Sequence, residues 1–312
     1  MTAGASQTVG RVSRPLGGRD RGDSLAQQAR GESMAVLTWR ELRRNAGAMI
    51  GIVTLIAIVF MAILAPVVAP YDPVALSPVD SSQGPSAQHW MGTDVLGRDI
   101  FSRVIFGARI SLWLGLVSVG IASVLGLTLG LIAGYFGGWA ETIIMRGADM
   151  MLAFPSFLLA LTILFALGQS IINVMIAVGL ASVPGYTRIV RGSVLSAREM
   201  EYVVAARTIG SSDGRLLWRH ILPNVIAPVI VIASVGIAWA IITAASLSFL
   251  GMGVQPPTPE WGSMVNEGMR HLRRAWWISS FPALAIVVTV LAINLVGDGL
   301  RDALDPKLRN VQ

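Results

Sequence analysis

The residues that most often carry out chemistry in proteins are scarce in this sequence of 312 residues. It contains no cysteine, which excludes disulfides and thiolate metal sites. The three histidines, His89, His220 and His271, are far apart and lack the spacing of metal ligands. The only lysine is Lys307, so no G-x-x-x-x-G-K-[ST] phosphate-binding loop is present. We therefore expect the chain to bind no cofactor or metal, and any ATP-driven work to come from a partner.

The composition is that of a membrane protein. Hydrophobic residues make up 54% of the chain and charged residues only 13%, with a mean hydropathy of +0.65, whereas globular domains carry about 25% charged residues. The net charge of +6 could suggest nucleic acid. The basic residues, however, flank apolar runs instead of forming a stripe with interleaved aromatics, so the lipid bilayer is the expected partner and nucleic acid is not.

Apolar runs of about 20 residues predict an all-α integral membrane protein with six transmembrane helices. The predicted spans are 46–70, 110–135, 143–167, 171–190, 224–250 and 275–297. The third and fourth come from one uncharged run, which Gly168 and its polar neighbours divide.

The basic residues predict the orientation of these spans. Only six of the 24 fall on one side, namely Arg98, Arg103, Arg109, Arg270, Arg273 and Arg274. Because cytoplasmic segments carry the excess of Lys and Arg, both termini, the 191–223 loop and the 298–312 tail are expected in the cytoplasm. Segments 71–109 and 251–274 are expected outside.

The N-terminal region is expected to contain two parts. Residues 1–33 are rich in Arg, Gly, Ser and Gln without an apolar period, which predicts a disordered tail rather than a cleavable signal. Residues 34–45 alternate apolar and charged side chains, which predicts an amphipathic helix on the inner leaflet. A plain N-terminal extension of the first span is the alternative.

The span interiors carry no charged residue. An ion-coupled carrier or a proton relay would require such residues.

The second span carries Gly126, Gly130 and Gly134 at every fourth position. Small residues at this spacing allow close approach of helix backbones, so we predict a helix-packing role for them.

The polar 191–223 segment is the most informative part of the sequence. Glu199 to Ile209 can form a helix, which Gly210 would end in a left-handed conformation. Tyr202, Ala205, Ala206 and Ile209 would share one face. A second short helix is predicted from Gly214 to Leu222. The candidate docking residues are Glu201, Tyr202, Ala205, Ala206, Arg207, Ile209, Gly210, Leu222 and Pro223. The alternative is a solvated connector.

This segment resembles the cytoplasmic coupling loop of ABC importer permeases of the peptide/nickel class. The matching pattern is A-A-x-x-x-G followed twelve residues later by L-P. Val204 and His220 depart from it, where the family has Glu and Ile. Segments 89–99, 107–112, 256–262 and 294–306 also resemble the C-type subunit of this class, so the resemblance covers about residues 34–309.

The resemblance implies a core permease domain over 110–300, a cytoplasmic coupling helix and a place in a bacterial inner membrane. It also implies a homologous second permease, one or two cytoplasmic ATPases that bind ATP and Mg²⁺, and an extracytoplasmic substrate-binding protein. The imported substrate would be di- or oligopeptides, with nickel, glutathione or haem as alternatives. Asp94/Arg98 and Asp99/Arg103 are expected as i,i+4 pairs on a short external helix that faces this binding protein.

Two other classes of function are the alternatives to this one. A stand-alone ion-coupled carrier or channel would need charged residues at mid-depth. A structural membrane scaffold would not need the docking loop.

Overall fold

A computed structural model describes residues 34–304, so the predicted tail 1–33 and residues 305–312 lie outside the described residues. The described chain is helical and contains no strand, only an isolated bridge between Thr93 and Asp99. Its helices are α1 (Met34–Arg44), α2 (Ala46–Ile63), α3 (Ala65–Val68), α4 (Ile100–Phe136), α5 (Gly138–Leu152), α6 (Ser156–Leu167), α7 (Ile171–Arg198), α8 (Glu201–Thr208), α9 (Asp213–Arg215), α10 (Leu222–Phe249), α11 (Trp261–Met269) and α12 (Trp277–Leu304). A π-helical turn, Leu216–Ile221, joins α9 to α10.

Five of these helical segments are long and apolar enough to cross a membrane. They are α2, α4, α7, the continuous stretch Asp213–Phe249 and α12, and a sixth span is possible from α5 and α6 together. The all-helical membrane fold predicted from the sequence is therefore found.

Several spans extend beyond their predicted ends. Helix α4 begins at Ile100, ten residues before the predicted span, because the Asp99 side chain caps it by accepting from the backbone N–H of Ser102. Helix α7 continues to Arg198 and α12 to Leu304, so residues 298–304 belong to a helix and not to a tail.

The segment predicted as the third span, 143–167, lies in two helices. Helices α5 and α6 meet at an angle of 94° across residues 153–155. Pro155 explains this break, because proline restricts the preceding residue to extended conformations and its own nitrogen cannot donate. Hydropathy alone gave no sign of a change in direction.

Helices α4 and α7 form the closest pair in the bundle. Gly126, Gly130 and Gly134 are buried on α4, where α7 crosses it. A Cβ atom on Gly130 would lie 2.5 Å from the Cβ of Val190 and 2.8 Å from the carbonyl oxygen of Thr187. These distances are well below ordinary contact, so only glycine permits this approach.

The N-terminal helix and the end of the last span lie together. Leu42 of α1 is buried against Ala48 and Ala303. A Cβ atom on Gly299 of α12 would lie 2.4 Å from the Cβ of Ala48. Helix α1 therefore packs at the C-terminal end of α12, which fixes both described ends of the chain on one side of the bundle.

Candidate functional site

The α7–α10 loop (residues 199–221) contains α8. This helix ends just before Gly210, which has the left-handed conformation that the sequence predicts. Gly210 has a φ of +83°. Its N–H donates to the carbonyl of Arg207 at 3.0 Å, and the N–H of Ser211 donates to the carbonyl of Ala206 at 3.1 Å. This pair of bonds is a Schellman motif, in which a left-handed residue satisfies the last carbonyls of a helix.

Helix α8 buries a different face from the predicted one. Val203 is fully buried and Ala206 is 8% exposed, and both pack with Leu216, Ile221 and Val225. Ala206 therefore faces the bundle and is not available for docking, which corrects its predicted place on a free face. The larger apolar side chain of Val203 gains more by burial than Ala205 would, and it rotates the helix accordingly.

Four large apolar side chains of the α7–α10 loop nevertheless remain exposed. Met200, Val204, Ile209 and Trp218 are all at least half exposed, with Ile209 at 83% and Trp218 at 74%. We call these four residues the apolar docking face. The same loop carries exposed charged side chains, among them Glu201, Arg207, Arg215 and Arg219. Charges at this density place the loop in water and not in hydrocarbon, so its exposed apolar side chains are available for a protein partner to cover.

The loop joins α10 through residues that the sequence identified and one turn that it did not. Leu222 and Pro223 occupy the first turn of α10, where the missing N–H of proline has no cost. The second predicted helix is α9 followed by the π-helical turn. Tyr202 reaches across to α10, where its hydroxyl accepts from Asn224 at 2.8 Å.

A large groove opens beside this loop. Its volume is about 1060 Å³, and side chains from α7, α10 and α12 line most of it. Polar lining residues are Ser156, Ser182, Tyr186, Asn224, Thr243, Asp298 and Arg301. Pro223 and Leu304 also line it, so the groove extends to the ends of α10 and α12 that lie beside the α7–α10 loop. Such a volume accommodates a small-molecule ligand.

A comparison with known sequences assigns this architecture. Residues 126–310 match the family described as "Binding-protein-dependent transport system inner membrane component". The chain belongs to this family. Residues 33–85 also match the "N-terminal TM domain of oligopeptide transport permease C". The predicted ABC importer permease of the peptide class, a multi-pass inner-membrane transport subunit, is thereby confirmed.

Relatives of this permease share nearly half of its residues. It is 46% identical to the dipeptide transport system permease protein DppC of Alkalihalophilus pseudofirmus over 280 residues, 88% of this chain and 92% of the relative. It is 48% identical over 278 residues to the di/tripeptide permease DppC of Pseudomonas aeruginosa, covering 87% and 92%. It is 49% identical over 272 residues to the glutathione permease GsiD of Escherichia coli O157:H7, covering 87% and 90%.

At the opposite end of the permease, four predicted partner-facing residues are buried. Asp94, Arg98, Asp99 and Arg103 are each at most 3% exposed. Asp94 and Arg98 lie in a loop and not on a helix, and Asp99 is the cap of α4. They cannot contact a partner in this state, so the predicted contact role is wrong for these side chains.

The buried charges of this outer region pair with residues far away in the sequence. The Nε of Arg98 lies 2.5 Å from Asp94, and its Nη2 lies 2.8 Å from Glu267 of α11. Arg103 also reaches Glu267, at 3.2 Å, and the predicted partner Asp99 instead contacts His89 at 2.9 Å. These pairs hold the segment before α4 against α11.

Glu260 supports the same outer region by capping α11. Its carboxyl group is buried and accepts from the N–H groups of Gly262 and Ser263 at 2.8 and 2.9 Å. Burial raises the pKa of the Glu260 carboxyl above its ordinary value, and the two N–H groups partly offset this.

Sequence reasoning missed several residues of these two regions. Glu267 and Arg98 are 169 residues apart, so no local spacing could pair them. Tyr135, at the end of α4, contacts the α7–α10 loop and was not predicted to do so. Trp218 could have been found, since it stands between Arg215 and Arg219 in a segment predicted to lie in water.

Proposed function

We propose that this permease is the C-type transmembrane subunit of an ATP-driven importer that takes up di- and oligopeptides from an extracytoplasmic binding protein. It forms the passage with a homologous second permease. Two of the relatives carry dipeptide or di/tripeptide transport in their names, which supports this substrate class. ATP and Mg²⁺ bind to partner ATPases, because the chain has no phosphate-binding loop.

In this proposal both termini and the α7–α10 loop are cytoplasmic. The excess of basic residues at these segments supports the orientation. The common position of α1, the end of α12 and the α7–α10 loop is compatible with it.

The observation that carries the proposal is the apolar docking face, which lies in a charged loop on α8, a short helix that ends in a Schellman motif, and on the π-helical turn after it. Helix α8 and this turn enter a cleft of one ATPase and bury Val204, Ile209 and Trp218 there. Closure of the ATPases on ATP moves α8, and the attached spans then change the exposure of the groove. The groove between α7, α10 and α12 forms this subunit's half of the peptide passage.

Ile209→Asp tests the docking assignment. Burying a side chain of this size is worth about 1.5–3 kcal/mol, and an unpaired charge reverses that gain. We expect the ATPase subunits to co-purify at least about tenfold less well, with normal membrane insertion. Ser196→Asp is the matched control, since Ser196 is exposed on the adjoining end of α7 outside the docking face. Equal recovery of the ATPases with both variants would refute the assignment.

Glutathione is the second candidate substrate, because relatives with 49% identity are named glutathione permeases. Uptake of a labelled dipeptide into vesicles that hold the complete transporter, with its binding protein outside, distinguishes the candidates. Peptide import requires ATP-dependent dipeptide uptake that unlabelled glutathione does not inhibit. Uptake of glutathione, nickel or haem without dipeptide uptake would reject peptides as the substrate.

A further inference from the structure

The end of α4 places one aromatic side chain against both halves of the α7–α10 loop. Tyr135 is 8% exposed, and its hydroxyl donates to Oδ1 of Asp213 at 2.5 Å. The guanidinium carbon of Arg207 lies 5.9 Å from the centroid of the same ring, within the range of a cation–π contact. Arg207 belongs to α8 and Asp213 opens α9, so Tyr135 spans the turn at Gly210.

These contacts connect the loop to a span that is not its neighbour in the sequence. The loop follows α7 and precedes α10, and the Tyr202–Asn224 bond adds a link to α10. The loop contacts α4 through Tyr135. Next to it, the Nη1 of Arg198, the last residue of α7, donates to the carbonyl of Gly134 at 3.0 Å. Helix α4 in turn packs closely on α7 through its three glycines.

We propose that Tyr135 is a positioning residue for energy coupling, which transmits the displacement of α8 to α4. This inference rests on the proposed function of α8 as the ATPase-docking helix. When the ATPases move α8, the bonds from Asp213 and Arg207 require the end of α4 to follow. Helices α4 and α7 then move together with the loop. Without the link, α8 moves while α4 lags, and ATP is hydrolysed without a full change of the passage.

A purely structural role for Tyr135 makes a different prediction. The ring packs with Val194, Ala197 and Leu216 in the inner core. Phenylalanine would keep this packing and the stacking of Arg207, and would lose only the hydroxyl bond to Asp213. A space-filling residue would therefore tolerate Tyr135→Phe, whereas a positioning residue would not.

The test measures peptide molecules imported per ATP hydrolysed, in vesicles holding the permease with its second permease, ATPases and binding protein. Because a hydrogen bond to a charged group is among the stronger ones, we expect Tyr135→Phe and Asp213→Ala each to lower this ratio about three- to tenfold. Asp213→Asn keeps an acceptor and restores the ratio to within about twofold of the original. The double variant Tyr135→Phe/Asp213→Ala is no worse than either single variant.

Tyr71→Phe is the matched control, since the Tyr71 hydroxyl donates to the carbonyl of Gln88 at 3.1 Å in the outer region. Its ratio should equal that of the original protein. An unchanged ratio in Tyr135→Phe, or additive losses in the double variant, would overturn the inference. Should Tyr135→Phe fail to assemble, the comparison of Asp213→Ala with Asp213→Asn decides, and equal ratios there would reject the link.

The two proposals fail in different ways. Loss of ATPase binding in Ile209→Asp, together with a normal ratio in Tyr135→Phe, rejects only the role of Tyr135. Normal ATPase binding in Ile209→Asp rejects the docking function itself.

Discussion

Gly130→Ala tests how closely α4 and α7 must approach. The added Cβ would lie 2.5 Å from the Cβ of Val190, whereas carbon atoms in contact are about 3.5–4.0 Å apart. The helices must then separate by about 1 Å or bend. The added Cβ cannot simply shift away from Val190, because the carbonyl oxygen of Thr187 also lies only 2.8 Å from it. Overpacking of this kind costs about 1–3 kcal/mol.

Gly120→Ala on the same helix supplies the matched control. Nothing lies within 4 Å of a Cβ atom at Gly120. Both substitutions gain the same helix propensity of alanine over glycine, so their difference isolates the cost of overpacking. We expect the equilibrium constant for unfolding of Gly130→Ala to be about 5- to 150-fold larger than that of Gly120→Ala. The assay is titration with SDS in mixed micelles, followed by loss of tertiary fluorescence. Equal midpoints for the two variants would refute the close-approach reasoning.

Other substitutions test the two ends of the permease. Gly210→Val should destabilise the end of α8 by about 1–2 kcal/mol through strain at its positive φ, and should reduce co-purification of the ATPases. Gly214→Ala is its control, at an uncrowded position without a positive φ, and should leave co-purification unchanged. Asp94→Ala should destabilise the fold by about 3–5 kcal/mol, because it leaves the buried charge of an arginine uncompensated. Asp72 is exposed, so Asp72→Ala should change stability by under about 1 kcal/mol. Thermal unfolding measures both. Because folding raises the pKa of Glu260, its contribution to stability is full at acidic pH and is lost as pH rises through that raised pKa. Glu260→Gln should flatten this part of the stability–pH profile, and an unchanged slope would contradict the assignment.

The sequence predicted what depends on local pattern. Apolar runs of span length located the membrane helices, since hydrocarbon requires a continuous run of apolar side chains on a backbone whose polar groups bond within the helix. The spacing of Gly126 and Gly130 indicated a packing face, and both glycines lie against α7. Gly210 was expected to end α8 in a left-handed conformation, and its φ of +83° does so. Each of these features is decided within a few residues.

Features that depend on distant parts of the chain could not be predicted in this way. The sequence suggested that Tyr202 and Ala206 share the free face of α8, but burial of Val203 against Leu216 rotates the helix. Arg98 was expected on a short external helix that faces the binding protein, yet it is buried, and the carboxylate of Glu267 compensates its charge from 169 residues away.

The continuous helical stretch from Asp213 to Phe249 has a mechanical consequence. At 1.5 Å per residue its 37 residues measure about 55 Å, nearly twice the roughly 30 Å of hydrocarbon in a bilayer. The stretch is therefore long enough to project beyond the hydrocarbon. Tilting it by about 10° around its midpoint would move its two ends by about 5 Å in opposite directions. In the proposed mechanism, such a tilt narrows one mouth of the passage while it widens the other, without any change in the helix's own hydrogen bonds.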